Sequence, residues 1–170
     1  MHGELIIRRY EEKDLDGIFE MIGKAFTTPI LDRVYEDEVK TYWLGEYSKE
    51  YIAHCAAENR LYVAELDGKI VASGAVGIYV EEPDKAYISA VFTDPTVQGK
   101  GLGSRMMQTL EQDEFTQRFD TVYITAALSA ARFYQKLGYT FKFDVPVIIL
   151  DGILDVVYME KPVSHAGEKM

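Results

Sequence analysis

One stretch limits what this chain can become: VFTDPTVQGKGLGSRMMQTLEQ, where an apolar, strand-like run passes through Gly99, Gly101 and Gly103 straight into a helical run. Glycine inside a regular element costs roughly 0.5–1 kcal/mol relative to alanine, so three at alternate positions serve something other than local order. A loop leading from a strand into a helix start presents unpaired backbone N–H groups and the positive end of the helix dipole, which together suit a phosphate. Without Cβ atoms the main chain can come close to such a ligand, and Lys100, Ser104 and Arg105 supply charge and a hydroxyl donor. A tight turn with no ligand is the plainer reading of the same letters.

The rest of the chain alternates strand and helix patterns. ELIIRRY reads as a first strand, and EEKDLDGIFEMIGKAF places Leu15, Ile18, Phe19, Ile22 and Phe26 on one helical face. From Asp32 to Glu58 the spacing is helical again, with Val39, Tyr42, Trp43 and Tyr47 on one face and Ser48 capping a second piece, KEYIAHCAAE. RLYVAEL and KIVASGAVGIYV flank Asp67-Gly68, while YTFKFDVPVIIL and ILDVVYMEK flank Asp151-Gly152; both pairs tolerate positive φ and predict hairpins. Between the hairpins lie AYISAVFTD, the glycine loop with its helix, TVYITAAL, and a short helix SAARFYQKLG ending in glycine. Pro146 predicts an edge or a bulge in the penultimate strand. The order β α α β β β α β α β β, without repeats or linker-like stretches, predicts one α+β domain over residues 1–162 with a polar tail at 163–170.

Composition narrows the partners. With 28 acidic against 18 basic residues the formal net charge is −10, which argues against nucleic acid and anionic membrane, since a duplex binder needs a basic footprint. A cationic partner suits this charge, and so does solubility alone. Cys55, the one cysteine, excludes an internal disulfide and a thiolate zinc site and fits a reducing cytoplasm. Its helical spacing from Tyr51 and Ile52 reads as a small buried hydrophobe, not a nucleophile. The longest apolar stretch, VPVIIL, is far too short to span a bilayer, and neither end carries a signal-like core, so the expectation is a soluble, cytoplasmic protein.

Two familiar phosphate loops fit poorly. A triphosphate loop needs Gly-Lys followed by Ser or Thr, but Gly101 follows Lys100; a dinucleotide fingerprint belongs near the start of a βαβ unit, but G-K-G-L-G comes late, after a hairpin. A third pattern, Q-x-x-G-x-G, is met by Gln98, Gly101 and Gly103, with Asp94-Pro95 before it and SRMMQTLEQ after it. This resembles the acyl-coenzyme A loop of the GNAT superfamily of N-acetyltransferases. SAARFYQKLGY is similar to that family's A-x-x-F-Y-x-K-x-G-F/Y segment, and the element order agrees over nearly the whole chain.

The resemblance implies a mixed, mostly antiparallel sheet of about seven strands flanked by about four helices and splayed between the fourth and fifth strands. It implies acetyl-CoA as cosubstrate and no metal. Pantetheine would bond the backbone of Val91, Phe92 and Thr93 beside a bulge on the fourth strand, and the pyrophosphate would lie over Gln98, Gly99, Lys100, Gly101, Leu102, Gly103 and Ser104. Ser129 stands where many relatives carry Asn, and Ala127 offers nothing there. A neutral amine would attack the thioester carbonyl to give a tetrahedral oxyanion, stabilised by a backbone N–H near Phe92. Tyr134 stands where the family often places its general acid; a packed aromatic beside Phe133 is the other reading of that position.

The fourth strand lacks the glutamate some members use as base, which leaves Glu81, Glu82 and Asp84 as candidates acting through water and no assignment among them. The acidic and aromatic segments YEDEVKTYW and EEPDK suit a cationic small-molecule or peptide amine as acceptor. Two other classes remain open at this point: a catalytically silent acyl-CoA sensor, and an interaction module that forms a homodimer through its final hairpin.

Overall fold

In a computed structural model, the structure describes residues 3–26, 45–143, 147–149 and 154–165. Strand β1 spans Leu5–Arg9, and α1 spans Leu15–Phe26. Helix α2 covers Lys49–Glu58, with the Ser48 hydroxyl accepting from the Tyr51 N–H as the sequence predicts. Strands β2 (Arg60–Leu66), β3 (Lys69–Tyr79) and β4 (Glu82–Thr93) follow, then α3 (Leu102–Gln112), β5 (Thr121–Ala127), α4 (Ala131–Lys136), β6 (Thr140–Phe141), β7 (Val147–Ile149) and β8 (Leu154–Pro162). The predicted face of Val39, Tyr42 and Trp43, the Asp151-Gly152 turn and Pro146 lie outside the described residues.

Hydrogen-bonded neighbours run β1-β2-β3-β4-β5-β8-β6, with β7 also pairing β8. The pairings β1–β2, β2–β3, β5–β8, β6–β8 and β7–β8 are antiparallel, and β4–β5 is parallel. The parallel register covers three pairs, Ala86 with Val122, Tyr87 with Tyr123 and Ile88 with Ile124, and so short a ladder fits a splay beyond it. The penultimate strand, expected as one run, is two short pieces, β6 and β7, each on β8.

The chain groups into two compact units, Met1–Val76 with Ala90–Leu110, and Gly77–Ser89 with Glu111–Met170, and β3 and β4 contribute residues to both. In the first unit Ile18, Met21, Ile22 and Phe26 of α1 pack with Ile52, Cys55, Leu61, Val63 and Ala75. Each of the larger aliphatic and aromatic side chains among them contributes about 1.5–3 kcal/mol by leaving water, as an upper estimate. Phe19, expected inside, is 41% exposed, and Met21 is buried instead. The buried arc of α1 centres on Ile18 and Ile22, and Met21 sits within it, while Phe19 points to its margin and carries the Lys49 ammonium 5.4 Å from its ring. The turn between β2 and β3 has φ of 52° at Asp67 and 81° at Gly68, the left-handed pair that a two-residue hairpin demands. Helix α3 rides close on β3 at Gly74, where an added Cβ would stand 2.7 Å from Leu110 Cδ1.

In the second unit β5 is buried at Val122, Tyr123 and Ile124 in succession, because both of its faces are covered. Gly138, with φ 97°, ends α4, its N–H donating to the Gln135 carbonyl at 3.0 Å. The Tyr139 hydroxyl donates to Glu111 at 2.8 Å, and Lys161 pairs with the same carboxylate at 3.0 Å. Val163 is buried, and its N–H donates to the Asp120 carbonyl at 2.9 Å.

Candidate active site

The glycine loop lies in the first unit and takes the shape its letters require. Asp94 is buried; its carboxylate accepts from the Thr96 N–H at 2.8 Å and the Thr96 hydroxyl at 2.7 Å, and its own N–H donates to the Val71 carbonyl. This pins the end of β4 before a short 3-10 turn at Pro95–Val97. Gly99 has φ 81° and Gly101 φ 77°, and a Cβ at either would meet nothing within 4 Å. Open space on the side-chain side, with main chain bared beside it, fits an anionic ligand. The helix begins at Leu102, and its first bond runs from the Arg105 N–H to the Gly101 carbonyl at 3.0 Å. The N–H groups of Leu102, Gly103 and Ser104 therefore have no partner within the helix. Gly103 shows no positive φ; it belongs to the first helical turn.

The same unit holds Val91, Phe92 and Thr93, all half-buried. Just before them Ala90 has φ 54°, a backbone state that a residue with a Cβ rarely adopts, and its carbonyl accepts the Ser73 hydroxyl at 2.8 Å. Phe92 packs its ring 5.6 Å from Phe26 and 4.8 Å from Tyr47, so its side chain is tied into the core while its backbone stays on the strand. Neither Ala90 nor Ser73 carries a letter that announces this kink.

Ser129 and Tyr134 belong to the second unit. Ser129 is exposed on a 3-10 turn ahead of α4. Tyr134 is half-buried, with ring centroids 5.0 Å from Phe133 and 5.9 Å from Tyr139. Its hydroxyl bonds no described residue, in contrast to Tyr139, which is tied to Glu111. Burial, and after it the nearby Tyr87 hydroxyl, pushes the Tyr134 phenol up to about 12, so it keeps its proton at neutral pH.

A family model, the acetyltransferase (GNAT) family, matches residues 18–139, a span that holds both the glycine loop and Tyr134. The chain belongs to the GNAT family. Its class chemistry is therefore acyl transfer. An uncharacterized N-acetyltransferase from Methanocaldococcus jannaschii is 27% identical over 169 residues, covering 96% of each chain. Among solved structures, a GCN5-related N-acetyltransferase from Rhodopseudomonas palustris superposes with a TM-score of 0.78 at 20% identity, covering 95% of this chain and 98% of that one. The PaiA N-acetyltransferase from Thermoplasma acidophilum, solved with coenzyme A, gives 0.75 at 18% identity over 94% of this chain and 99% of that one. Both share the GNAT fold described above.

Within the second unit of this GNAT chain, one face carries a row of tyrosines. Tyr79 lies 5.1 Å from Tyr87, Tyr87 5.2 Å from Tyr123, and Tyr123 stacks on Tyr158 at 5.9 Å and 2°. Burial, and then the neighbouring carboxylate of Glu81, raises the Tyr79 phenol; burial raises that of Tyr123 further. Of the carboxylates weighed as bases, Glu82 hydrogen-bonds Lys142, and this holds it below the usual carboxylate range, the wrong direction for taking a proton from an ammonium. A separate cleft of about 440 Å³ in the first unit contains none of the predicted site residues; Arg8 crosses it to Asp14 and Glu65, both at 2.8 Å.

Proposed function

We propose that this chain acetylates a primary amine of a small molecule or peptide, with acetyl-CoA as donor. The observation that carries the reading is the paired positive φ of Gly99 and Gly101 ahead of the α3 start, inside the span that matches the GNAT family. The diphosphate of the cosubstrate would lie over the backbone from Gln98 to Ser104, including Lys100 and Leu102, where exposed N–H groups and the helix dipole favour negative charge. The pantetheine arm would bond Val91, Phe92 and Thr93, with Ser129 adding one hydroxyl.

The amine nitrogen attacks the thioester carbonyl; the C–N bond forms, the C–S bond breaks, and the thiolate leaves with the electron pair. Tyr134 gives that sulfur its proton; the ammonium has already lost one proton to solvent before the attack, and the second proton that the nitrogen sheds on becoming an amide restores the phenol. A phenol at about 12 is a weak acid, yet the burial that raises it also raises the basicity of a departing thiolate beside it, so the transfer is not opposed by the full difference. An alkylamine with a reference value near 10.4 is mostly protonated at neutral pH, and the tyrosine-lined face offers a setting in which an ammonium can dock before losing its proton.

The test is a thermal-shift titration with acetyl-CoA followed by turnover on a panel of amines. Saturation at about a hundred times Kd stabilises a folded-state binder by roughly 2.7 kcal/mol. Binding with turnover supports the reading; binding with every amine silent would make the chain an acyl-CoA sensor, and no shift with any acyl-CoA would remove the cofactor assignment.

A further inference from the structure

The tyrosine row ends at a cation supplied by the chain itself. Lys142 sits at the bend after β6, its backbone N–H donating to the Tyr158 carbonyl at 2.7 Å. Its ammonium lies 5.6 Å from the Tyr123 ring centroid and 5.5 Å from that of Phe143, and it hydrogen-bonds the Glu82 carboxylate. Lys85 bridges Glu82 at 3.6 Å and Glu160 at 2.8 Å. With Lys142 in place, this cluster of two carboxylates and two ammoniums is neutral. Withdrawing Lys142 leaves one net negative charge facing two aromatic rings, the surroundings that an alkylammonium selects. The backbone anchor can stay while the four-carbon stem rotates out, because the side chain has several rotatable bonds. Tyr123 is next to Tyr87, whose hydroxyl acts electrostatically on Tyr134, so the cluster lies in the same unit as the tyrosine that carries the reaction's proton.

We propose that the place held by the Lys142 ammonium is a subsite for a second alkylammonium on the acceptor, which displaces Lys142 and docks against Glu82, Tyr123 and Phe143. The inference rests on the amine-acetylating reading above and narrows its substrate to an amine that carries another cationic group.

The readout is the ratio of kcat/KM for 1,4-diaminobutane to that for butylamine, which differ by the second ammonium. The natural chain should favour the diamine. K142M, which keeps the apolar stem and deletes the competing charge, should raise the ratio about tenfold, and E82Q should lower it by a similar factor. F143L, at a ring 49% exposed and therefore easily tolerated, should lower it about threefold. A merely structural role for the cluster would change both amines alike, and equal ratios in all four proteins would overturn the proposal. Spermidine and a dipeptide pairing a free N-terminus with lysine present the same chemistry and separate a polyamine from a peptide source. If no amine is turned over, the acetyltransferase reading fails by itself. Calorimetric titration of 1,4-diaminobutane then still decides the subsite: tighter binding to K142M than to the natural chain sustains it, and equal or absent binding in both removes it.

Discussion

Replacing Tyr134 with phenylalanine deletes a hydroxyl that bonds no described residue, so the expected change in unfolding free energy stays within about 1 kcal/mol. Turnover should fall about a hundredfold while acetyl-CoA affinity, read by calorimetry, holds. Tyr139→Phe should behave the opposite way: loss of the 2.8 Å bond to Glu111 costs about 1–3 kcal/mol by urea denaturation and leaves kcat close to its starting value. Two tyrosines five positions apart are thus separated by where their oxygens end. The motif FYQKLGY marks the segment in the sequence, but composition could not say which phenol is spoken for. Ala90 marks the opposite limit of reading letters. An alanine at φ 54° is visible only once the Ser73 hydroxyl is seen holding its carbonyl, since neither residue type favours that state by itself. The Lys142 and Glu82 pair was equally hidden, because 60 positions of chain separate them and the contact depends on β4, β5 and β8 lying side by side.

At the scale of elements, the start of α3 and its seat on β3 make separate demands. Gly101→Ala forces a Cβ onto φ 77° and should cost about 1 kcal/mol of stability, measured by denaturant midpoint, with acetyl-CoA affinity falling at least tenfold as the bared backbone shifts. Gly74→Val strains the other side of the same helix. Its new Cβ would press on Leu110 Cδ1 at 2.7 Å and Met106 Cγ at 3.0 Å, and the expected loss is about 1–3 kcal/mol with the cosubstrate affinity of the folded protein retained. Local chemistry explains which elements were readable. Ser48 caps α2 through a hydroxyl that accepts from the N–H three residues on, and Asp67-Gly68 turns because both residues accept positive φ; each signal is complete within four residues. Phe19 lies outside the buried arc that its spacing predicts, because periodicity gives the direction of a helical face but not the width of the surface that covers it, which β-strand partners far along the chain decide.

For the molecule as a whole, the pH dependence of stability should be lopsided toward alkali. Tyr134 is raised to about 12 by burial, and Tyr10, Tyr79, Tyr123 and Tyr139 are raised as well. In each case the folded chain holds its proton above the unfolded value near 10, so this stability is fully present below about pH 10 and is lost as pH climbs through the folded values. Melting temperature, followed from pH 8 to 12, should be flat at first and then fall steeply. The element order was legible across the chain because hydrophobic period and turn residues are local, whereas the meeting of separate strands on one face was not. The buried cysteine carries a practical consequence. Cys55 is 4% exposed, and burial, despite the Asn59 amide at 3.7 Å, pushes its thiol up. A thiol so shielded ignores maleimides, and the sequence has no other, so a cysteine placed at Val80, 89% exposed in the turn after β3, would be the sole handle for a fluorophore. A native protein that is already silent toward such labels can be followed spectroscopically without first being rebuilt.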